Sequence, residues 1–443
     1  MQRIAFLRSI EIQQTDPYLS PLKEVFRAEG IQAKLFYTDG NCGPDDFPGE
    51  SEKLDPRASC DDIVDKLLAW RADAAVSISI PDECSLRDAV VKEKLARHGI
   101  PMAMHSVQTT LRLANKWVTK ETVLAHGLTT PPGILLDGDI LNGRNLPVPA
   151  YLDVVERQAR TFGFPLLSKP LWDCLANGIR YVGGPADLAA LLRDPYDGNV
   201  VLERCLTGEL CSVEIVGRGG SYVVQPLIWK GPTGGAPSFA FEQLRYSAPR
   251  RDADADFRRV AERLRELCVE LDVEGAIEVE MIHGDGQYHI IEINPRVSGS
   301  TTMSIAASGL NTYECLLQML LGTWPQTHPS LLREWRRFAL QFPIVPPSAE
   351  LIRDARRELD LVRASSFHID GKVYASMVIT CEFGNVTTLG AKLRSLCSRH
   401  DFLQPSMLAE VTNLMARTAG ERIRTFPTPP AEADYPVLAS GAR

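Results

Sequence analysis

Short apolar runs alternate with amphipathic stretches through the first hundred residues. Residues 3–7, 32–37 and 74–80 have the composition of strands, and residues 21–29, 60–71 and 83–99 carry helical spacing. Strands that alternate with helices pair in parallel, because parallel neighbours need a crossover connection. The pattern predicts a small α/β domain over residues 1–110. Residues 111–126 read as one helix capped by Gly127, and Thr130-Pro131-Pro132 then breaks the chain. An exposed loop is predicted over 137–150, a helix over 151–162 and a strand over 164–169.

The period then shortens. Runs at 200–202, 211–216 and 222–229 predict an antiparallel sheet, and 256–271 is an amphipathic helix. Strands at 275–282 and 287–293 follow, joined by a turn at 283–286. Beyond Trp335 the pattern changes to strands at 360–363, 366–369 and 373–380 and a helix at 386–399, with a loose Pro-rich tail at 425–443. The expected division is 1–110, 111–335, 336–424 and the tail 425–443, with α/β and α+β character.

Charge and cysteine usage narrow the function classes. With 48 Lys+Arg against 56 Asp+Glu, the net charge of −8 lacks the cationic surface that broad nucleic-acid binding requires. No apolar run approaches the roughly 20 residues that cross a bilayer. The opening Met1–Arg8 reads as a first strand rather than a signal peptide. Ten cysteines without a C-x-x-C pair are expected to be reduced thiols, which points to a cytoplasmic protein. There is no H-E-x-x-H, and His283 and His289 read as strand-face residues. Arg8-Ser9-Ile10-Glu11 follows the first strand where a dinucleotide-binding fold places G-x-G-x-x-G, and no P-loop occurs.

The most informative segment is Gly275-Ala276-Ile277-Glu278-Val279-Glu280 followed by Ile290-Ile291-Glu292-Ile293-Asn294-Pro295-Arg296. Period-two alternation puts Glu278 and Glu280 on one strand face and Glu292 and Asn294 on one face of the next. A hairpin brings Glu280, Glu292 and Asn294 together. Carboxylates among apolar neighbours need a compensating cation, and two carboxylates with an amide oxygen suit Mg²⁺ or Mn²⁺. Lys169 ends a strand ahead of Asn177-Gly178, and Lys116 is an isolated cation among apolar positions.

These segments, in this order, resemble the ATP-grasp superfamily over residues 111–322, with a looser fit before them. Leu113-Ala114-Asn115-Lys116-Trp117-Val118-Thr119-Lys120 resembles the family's entry helix, and Phe164-Pro165-Leu166-Leu167-Ser168-Lys169-Pro170 its second lysine strand. The resemblance implies an N-terminal α/β domain joined to two lobes that clamp ATP, with Lys116 and Lys169 on the phosphates. It implies Glu203, Cys205 and Leu206 at the adenine, largely through backbone groups, and Glu209 at the ribose. It makes Glu280, Glu292 and Asn294 the metal ligands and Arg296 the catalytic arginine facing the reacting carboxylate. Ser298, Gly299 and Arg245 are candidate substrate residues, and Tyr246 and His368 are candidates for the pocket wall. The loop Leu171-Trp172-Asp173-Cys174-Leu175-Ala176-Asn177-Gly178 departs from the family's Gly- and Ser-rich pattern. Residues 171–178 and 230–237 are candidate lids.

The implied activity is an ATP-dependent carboxylate–amine ligase that joins amino acids or similar small metabolites by an amide or peptide bond through an acyl phosphate, releasing ADP and phosphate. Its cofactors are ATP and the divalent ion, and its partners are a small carboxylate and an amine, with no nucleic acid and no membrane. Two alternatives stand beside it: a bicarbonate-activating enzyme, from the Asn294–Ser300 stretch, and a non-catalytic nucleotide-binding protein. The last hundred residues are open to completing a lobe, shaping a substrate pocket or forming a homodimer contact.

Overall fold

The computed structural model describes residues 2–9, 16–43, 45–142, 148–173, 177–193, 198–236, 242–325, 335–369 and 371–425. It is built on three sheets. The first is parallel, with strand order Glu50–Lys53, Ile31–Tyr37, Gln2–Arg8, Ala74–Ser77, Met102–Ala103. Ile4, Phe6 and Leu35 are buried on one side of it and Leu7, Phe36 and Ala75 on the other, as expected for a sheet covered on both faces. Helices Cys60–Ala69 and Asp82–Ala96 cover the second side, the former opened by a capping box between Ser59 and Asp62. The polar edge strand Glu50–Lys53 was not expected, since its four residues carry no apolar alternation.

The second sheet is antiparallel, in the order Gly133–Leu136, Val200–Arg204, Leu166–Pro170, Arg180–Val182. Helices Pro149–Phe162 and Pro185–Leu191 supply Val155, Ala159, Leu188 and Leu191 to its core. In place of the single helix expected at 111–126 there are two, Val107–Ala114 and Lys116–Ala125. The break is physical: the Asn115 side chain accepts from the Trp117 and Val118 amides and caps the second helix, placing Lys116 at its first turn. Part of the expected loop at 137–150 is the short helix Gly138–Leu141, and residues 143–147 lie outside the described residues.

The third sheet has nine strands. Its main path runs Gln287–Asn294, Gly275–Gly284, Gly208–Arg218, Ile228–Thr233, Arg245–Ser247, Phe338–Pro343, Lys372–Cys381, Asp360–Ile369, and Ser221–Val224 pairs with Gly208–Arg218 off that path. The run expected at 222–229 is thus two strands. Those expected at 360–363 and 366–369 are one, with a bulge between Leu361 and Arg363. Ile277, Val279 and Met281 face a core shared with Phe257, Leu264 and Leu267 of helix Arg251–Glu270. The opposite face lies under helices Thr301–Ser308 and Thr312–Leu321, and the second of these also packs against the parallel sheet. Helix Pro405–Thr425 packs Val411, Leu414 and Met415 against helix Val386–His400. It takes in the start of the expected tail, and residues 426–443 lie outside the described residues.

Glu214 shows what the covered face costs. It is buried in the third sheet and accepts hydrogen bonds from the Thr301 and Thr312 hydroxyls. Burial outweighs those two donors, and with the charges of Glu278 and Asp16 it pushes the carboxyl from 4.5 to about 7. A carboxyl raised in the fold holds its proton where the unfolded chain has lost it, so stability falls as pH climbs from 4.5 to about 7. The loss is on the order of 3 kcal/mol. Glu214→Gln is expected to flatten that slope, read as urea midpoints at pH 5 and pH 8. An unaltered pH dependence would contradict the assignment.

Candidate functional site

The carboxylate cluster is set by strand register. Glu280 lies opposite Glu292 and Glu278 opposite Asn294 in the pairing of Gly275–Gly284 with Gln287–Asn294. Two carboxylates and an amide oxygen on one face are the hard, oxygen-only donor set that a small divalent cation takes. Burial and the like charges of Glu278 and Glu292 push the Glu280 carboxyl up, despite Lys230. That crowding is what a bound dication relieves, so the residues fit the ion. Among the described residues, no three His, Cys, Asp or Glu side chains form a ready-made metal site, and the third donor here is an amide.

Lysines compensate the acids. The buried Lys230 ammonium donates to Glu278 at 2.8 Å and to Glu280. Glu278 is therefore held at about 2: burial opposes the shift, and Lys230, Ser300 and Arg296 outweigh it. Lys230 sits inside strand Ile228–Thr233, which removes the start of the expected lid at 230–237, and Pro237 lies outside the described residues. Lys116 lies 3.3 Å from Glu292 and pairs more closely with Asp173. Burial raises the Glu292 carboxyl, but Lys116 and Lys169 overcome it and the net shift is down. In the loop at 171–178, Asp173 thus engages a lysine that the resemblance assigns to phosphate, and residues 174–176 lie outside the described residues.

A second buried ionic group sits on the smaller antiparallel sheet. The Glu203 carboxylate accepts from Lys169 at 2.6 Å and from Lys120 at 2.8 Å. Lys120 also donates to the Thr130 hydroxyl and to the Pro131 carbonyl. Burial raises the Glu203 carboxyl, yet the two ammonium groups bring it below its ordinary value. The side chain of Glu203 therefore holds two cations in place. Residues 205–207 connect strand Val200–Arg204 of the smaller antiparallel sheet to strand Gly208–Arg218 of the nine-stranded sheet, which places Cys205 and Leu206 in the short connection between them. The Glu209 carboxylate, expected at a ribose, accepts from Arg250 and from the Tyr246 hydroxyl. Tyr246 stacks on Trp229 in the core, and His368 is exposed.

Arg296 bridges two parts of the chain. Its Nε donates to Asp82 Oδ1 at 2.6 Å and its Nη2 to Asn294 Oδ1 at 3.1 Å. Asp82 opens a helix of the parallel domain, and three residues later the Ser85 hydroxyl donates to the Pro295 carbonyl. Ser298 and Gly299 follow at the head of helix Thr301–Ser308. Arg245 is buried within the electrostatic reach of Glu278 and Glu280. The structure thus gathers Glu280, Glu292, Asn294, Lys116 and Arg296 in one region. Lys169 and Glu203 form a neighbouring group, and Glu209 is tied to Arg250.

Asp82, Lys120 and Lys230 were missed in the sequence. Lys230 had a signal, a lone cation closing the apolar run Leu227-Ile228-Trp229. Asp82 had none, since its partner lies 214 residues away.

Residues 113–300 match the family model of the ATP-grasp domain. The carbamoyl phosphate synthase large chain of Clostridium perfringens (strain SM101 / Type A) is 20% identical over 229 residues, 48% of this chain and 21% of that protein. The chain therefore spans about a fifth of the length of that curated relative. Among solved structures, the L-amino acid ligase from Bacillus licheniformis superposes with a TM-score of 0.64 at 16% identity, covering 90% of this chain and 97% of that one. Biotin carboxylase from Campylobacter jejuni gives 0.63 at 14% identity, covering 93% and 98%. N5-carboxyaminoimidazole ribonucleotide synthetase from Thermus thermophilus gives 0.62 at 16%, covering 89% and 98%. At these identities the likeness is one of fold.

Proposed function

The chain carries an ATP-grasp domain over residues 113–300, and from that premise we propose that it is an ATP-dependent carboxylate–amine ligase acting through an acyl phosphate. The observation that carries the reading is Glu280 opposite Glu292, with Lys116 3.3 Å from Glu292 and Arg296 bonded to Asn294. One contiguous region thus holds groups suited to a divalent ion, a phosphate chain and a carboxylate.

Carboxylates resist amines because resonance and negative charge oppose attack. Transfer of the γ-phosphoryl group to a carboxylate oxygen releases ADP and leaves a carbonyl with a good leaving group. The amine nitrogen then bonds to that carbon, phosphate departs and the nitrogen loses a proton. The protein's share is positioning and charge neutralisation. A divalent ion held by Glu280, Glu292 and Asn294 would neutralise phosphate charge. Lys116 exchanges Asp173 for phosphate oxygens, and Lys169 reaches the same chain while Glu203 holds its ammonium in place. Arg296, oriented by Asp82, presents its fork to the acid substrate. The three-residue hinge at 205–207 lets the smaller sheet close over the nucleotide and exclude water from the acyl phosphate.

The substrates are small molecules, and no described helix is long and apolar enough to cross a membrane. ADP release is expected only when an acid and an amine are both supplied, with a condensed product detected by mass. The Asn294–Ser300 stretch favours a second reading, activation of bicarbonate. ADP release on bicarbonate alone would select it and remove the first.

A further inference from the structure

Helix Lys116–Ala125 carries two buried lysines one turn apart, and the proposed reaction uses only the first. Residues four apart share a helix face. From that face Lys116 lies 3.3 Å from Glu292 on the nine-stranded sheet, and Lys120 lies 2.8 Å from Glu203 on the smaller sheet. Lys120 commits all three N–H donors to the protein: to Glu203, to the Thr130 hydroxyl at 2.8 Å and to the Pro131 carbonyl at 2.6 Å. No donor remains for a phosphate. The chain it bonds is pinned to both sheets, since the Thr129 carbonyl accepts from the Ile290 amide at 2.8 Å and the Pro132 carbonyl from the Arg204 amide at 2.9 Å.

Charge does not balance here. Two ammonium groups meet one carboxylate, with no side chain of the three more than 7% exposed, so the trio holds one net positive charge in the interior. A buried charge without a counter-charge is unfavourable. Lys120 registers this: burial pulls its ammonium below the ordinary value, Glu203 opposes the shift and Lys169 adds to it. Asp173 and Glu292 also feel Lys169, but both pair with Lys116, and Glu292 belongs to the proposed ion site. Glu203 is the one ionic partner of Lys169 among the described residues, at 2.6 Å, which leaves that ammonium donors for a further anion.

Without Lys120 the Lys169–Glu203 pair would be neutral and closed on itself. A phosphate could then gain Lys169 only by stripping it from a buried carboxylate. With Lys120 present, Glu203 is shared between two cations, and Lys169 meets the nucleotide with its charge partly unspent. We propose that Lys120 is a positioning residue for the nucleotide: acting through Glu203, it makes the Lys169 ammonium available to a phosphate of ADP or ATP. The assignment rests on the nucleotide-binding part of the ligase reading.

The test is calorimetric titration of the full chain with MgADP, with thermal melting as the control on folding. Lys120→Met should weaken MgADP binding by about tenfold or more. Removing the carboxylate as well restores the net charge, so Lys120→Met combined with Glu203→Gln should bind MgADP within about threefold of the wild type. A lysine that served packing alone would give the opposite order, with the double variant the weaker. Lys120→Gln, which keeps a donor for the Pro131 carbonyl, repeats the first comparison and guards against a variant that merely fails to fold. Wild-type affinity in Lys120→Met and Lys120→Gln, or a double variant no tighter than Lys120→Met, would overturn the proposal. A wild-type protein that binds no MgADP would overturn it together with the nucleotide reading. The expected pattern without ADP release from any acid and amine would uphold the role of Lys120 and remove the ligase reading instead.

Discussion

Glu292→Gln is expected to lower ADP release by about a hundredfold to a thousandfold or more, with the folded protein retained. The side chain keeps its shape and loses its charge. In the present arrangement Glu292 lies opposite Glu280, sits 3.3 Å from Lys116 and accepts from the Asn294 amide at 3.4 Å. Removing its charge takes away the attraction to Lys116 and also relieves repulsion on Glu280, so the two changes partly cancel in stability. They do not cancel in function. A neutral amide weakens the proposed ion site, and Lys116 is then held by Asp173 alone rather than poised between two acids. Steady-state ADP release, thermal melting and the Mg²⁺ concentration for half-maximal nucleotide binding are the measurements. The ion requirement should rise about tenfold or more while the melting temperature shifts little. Turnover near the wild-type level would remove Glu292 from the ion site.

What could be read in the sequence, and what could not, follows the range of the interactions. Alternation in 275–294 is local, so the shared face of Glu278, Glu280, Glu292 and Asn294 was readable, and the register places Glu280 against Glu292. The parallel domain was readable for the same reason, because apolar strands and amphipathic helices follow one another within it. Helix Thr301–Ser308 is not legible because every residue is buried: Met303 and Ile305 sit among Thr, Ser and Ala, and no exposed polar stripe gives a period. Helix Pro405–Thr425 is interrupted by Ser, Thr, Asn and Gly, whose weak helical preference is offset by packing of Val411, Leu414 and Met415. The ionic partners are long-range. Asp82 to Arg296, Lys120 to Glu203 and Lys230 to Glu278 are set by how the sheets assemble, and nothing in the local pattern around Asp82 or Lys120 marks them.

Lys230 carries the second large effect. Its ammonium is buried and donates to Glu278 and Glu280, so Lys230→Met removes a cation and leaves the buried Glu278 carboxylate beside the half-buried Glu280 carboxylate. Breaking a buried pair by deleting one partner costs about 3–5 kcal/mol, because the remaining charge is neither solvated nor compensated. The loss should depend on pH in a defined sense. Without Lys230, burial and mutual repulsion push both carboxyls above their ordinary value of 4.5, whereas in the wild type Glu278 is held near 2. Groups raised in the fold lose stability as pH rises past their unfolded value, so the variant's deficit should be smallest near pH 4.5 and grow toward neutrality. Urea midpoints of both proteins between pH 4.5 and pH 8 measure it. The double variant Lys230→Met with Glu280→Gln should recover a large share at pH 8, since a single carboxylate then remains near Arg245, which senses both acids in the wild type. A Lys230→Met protein as stable as the wild type at pH 8 would mean that Arg245 and Arg296 sustain the cluster without it. The lysine would then be free to leave Glu280 whenever a divalent ion arrives.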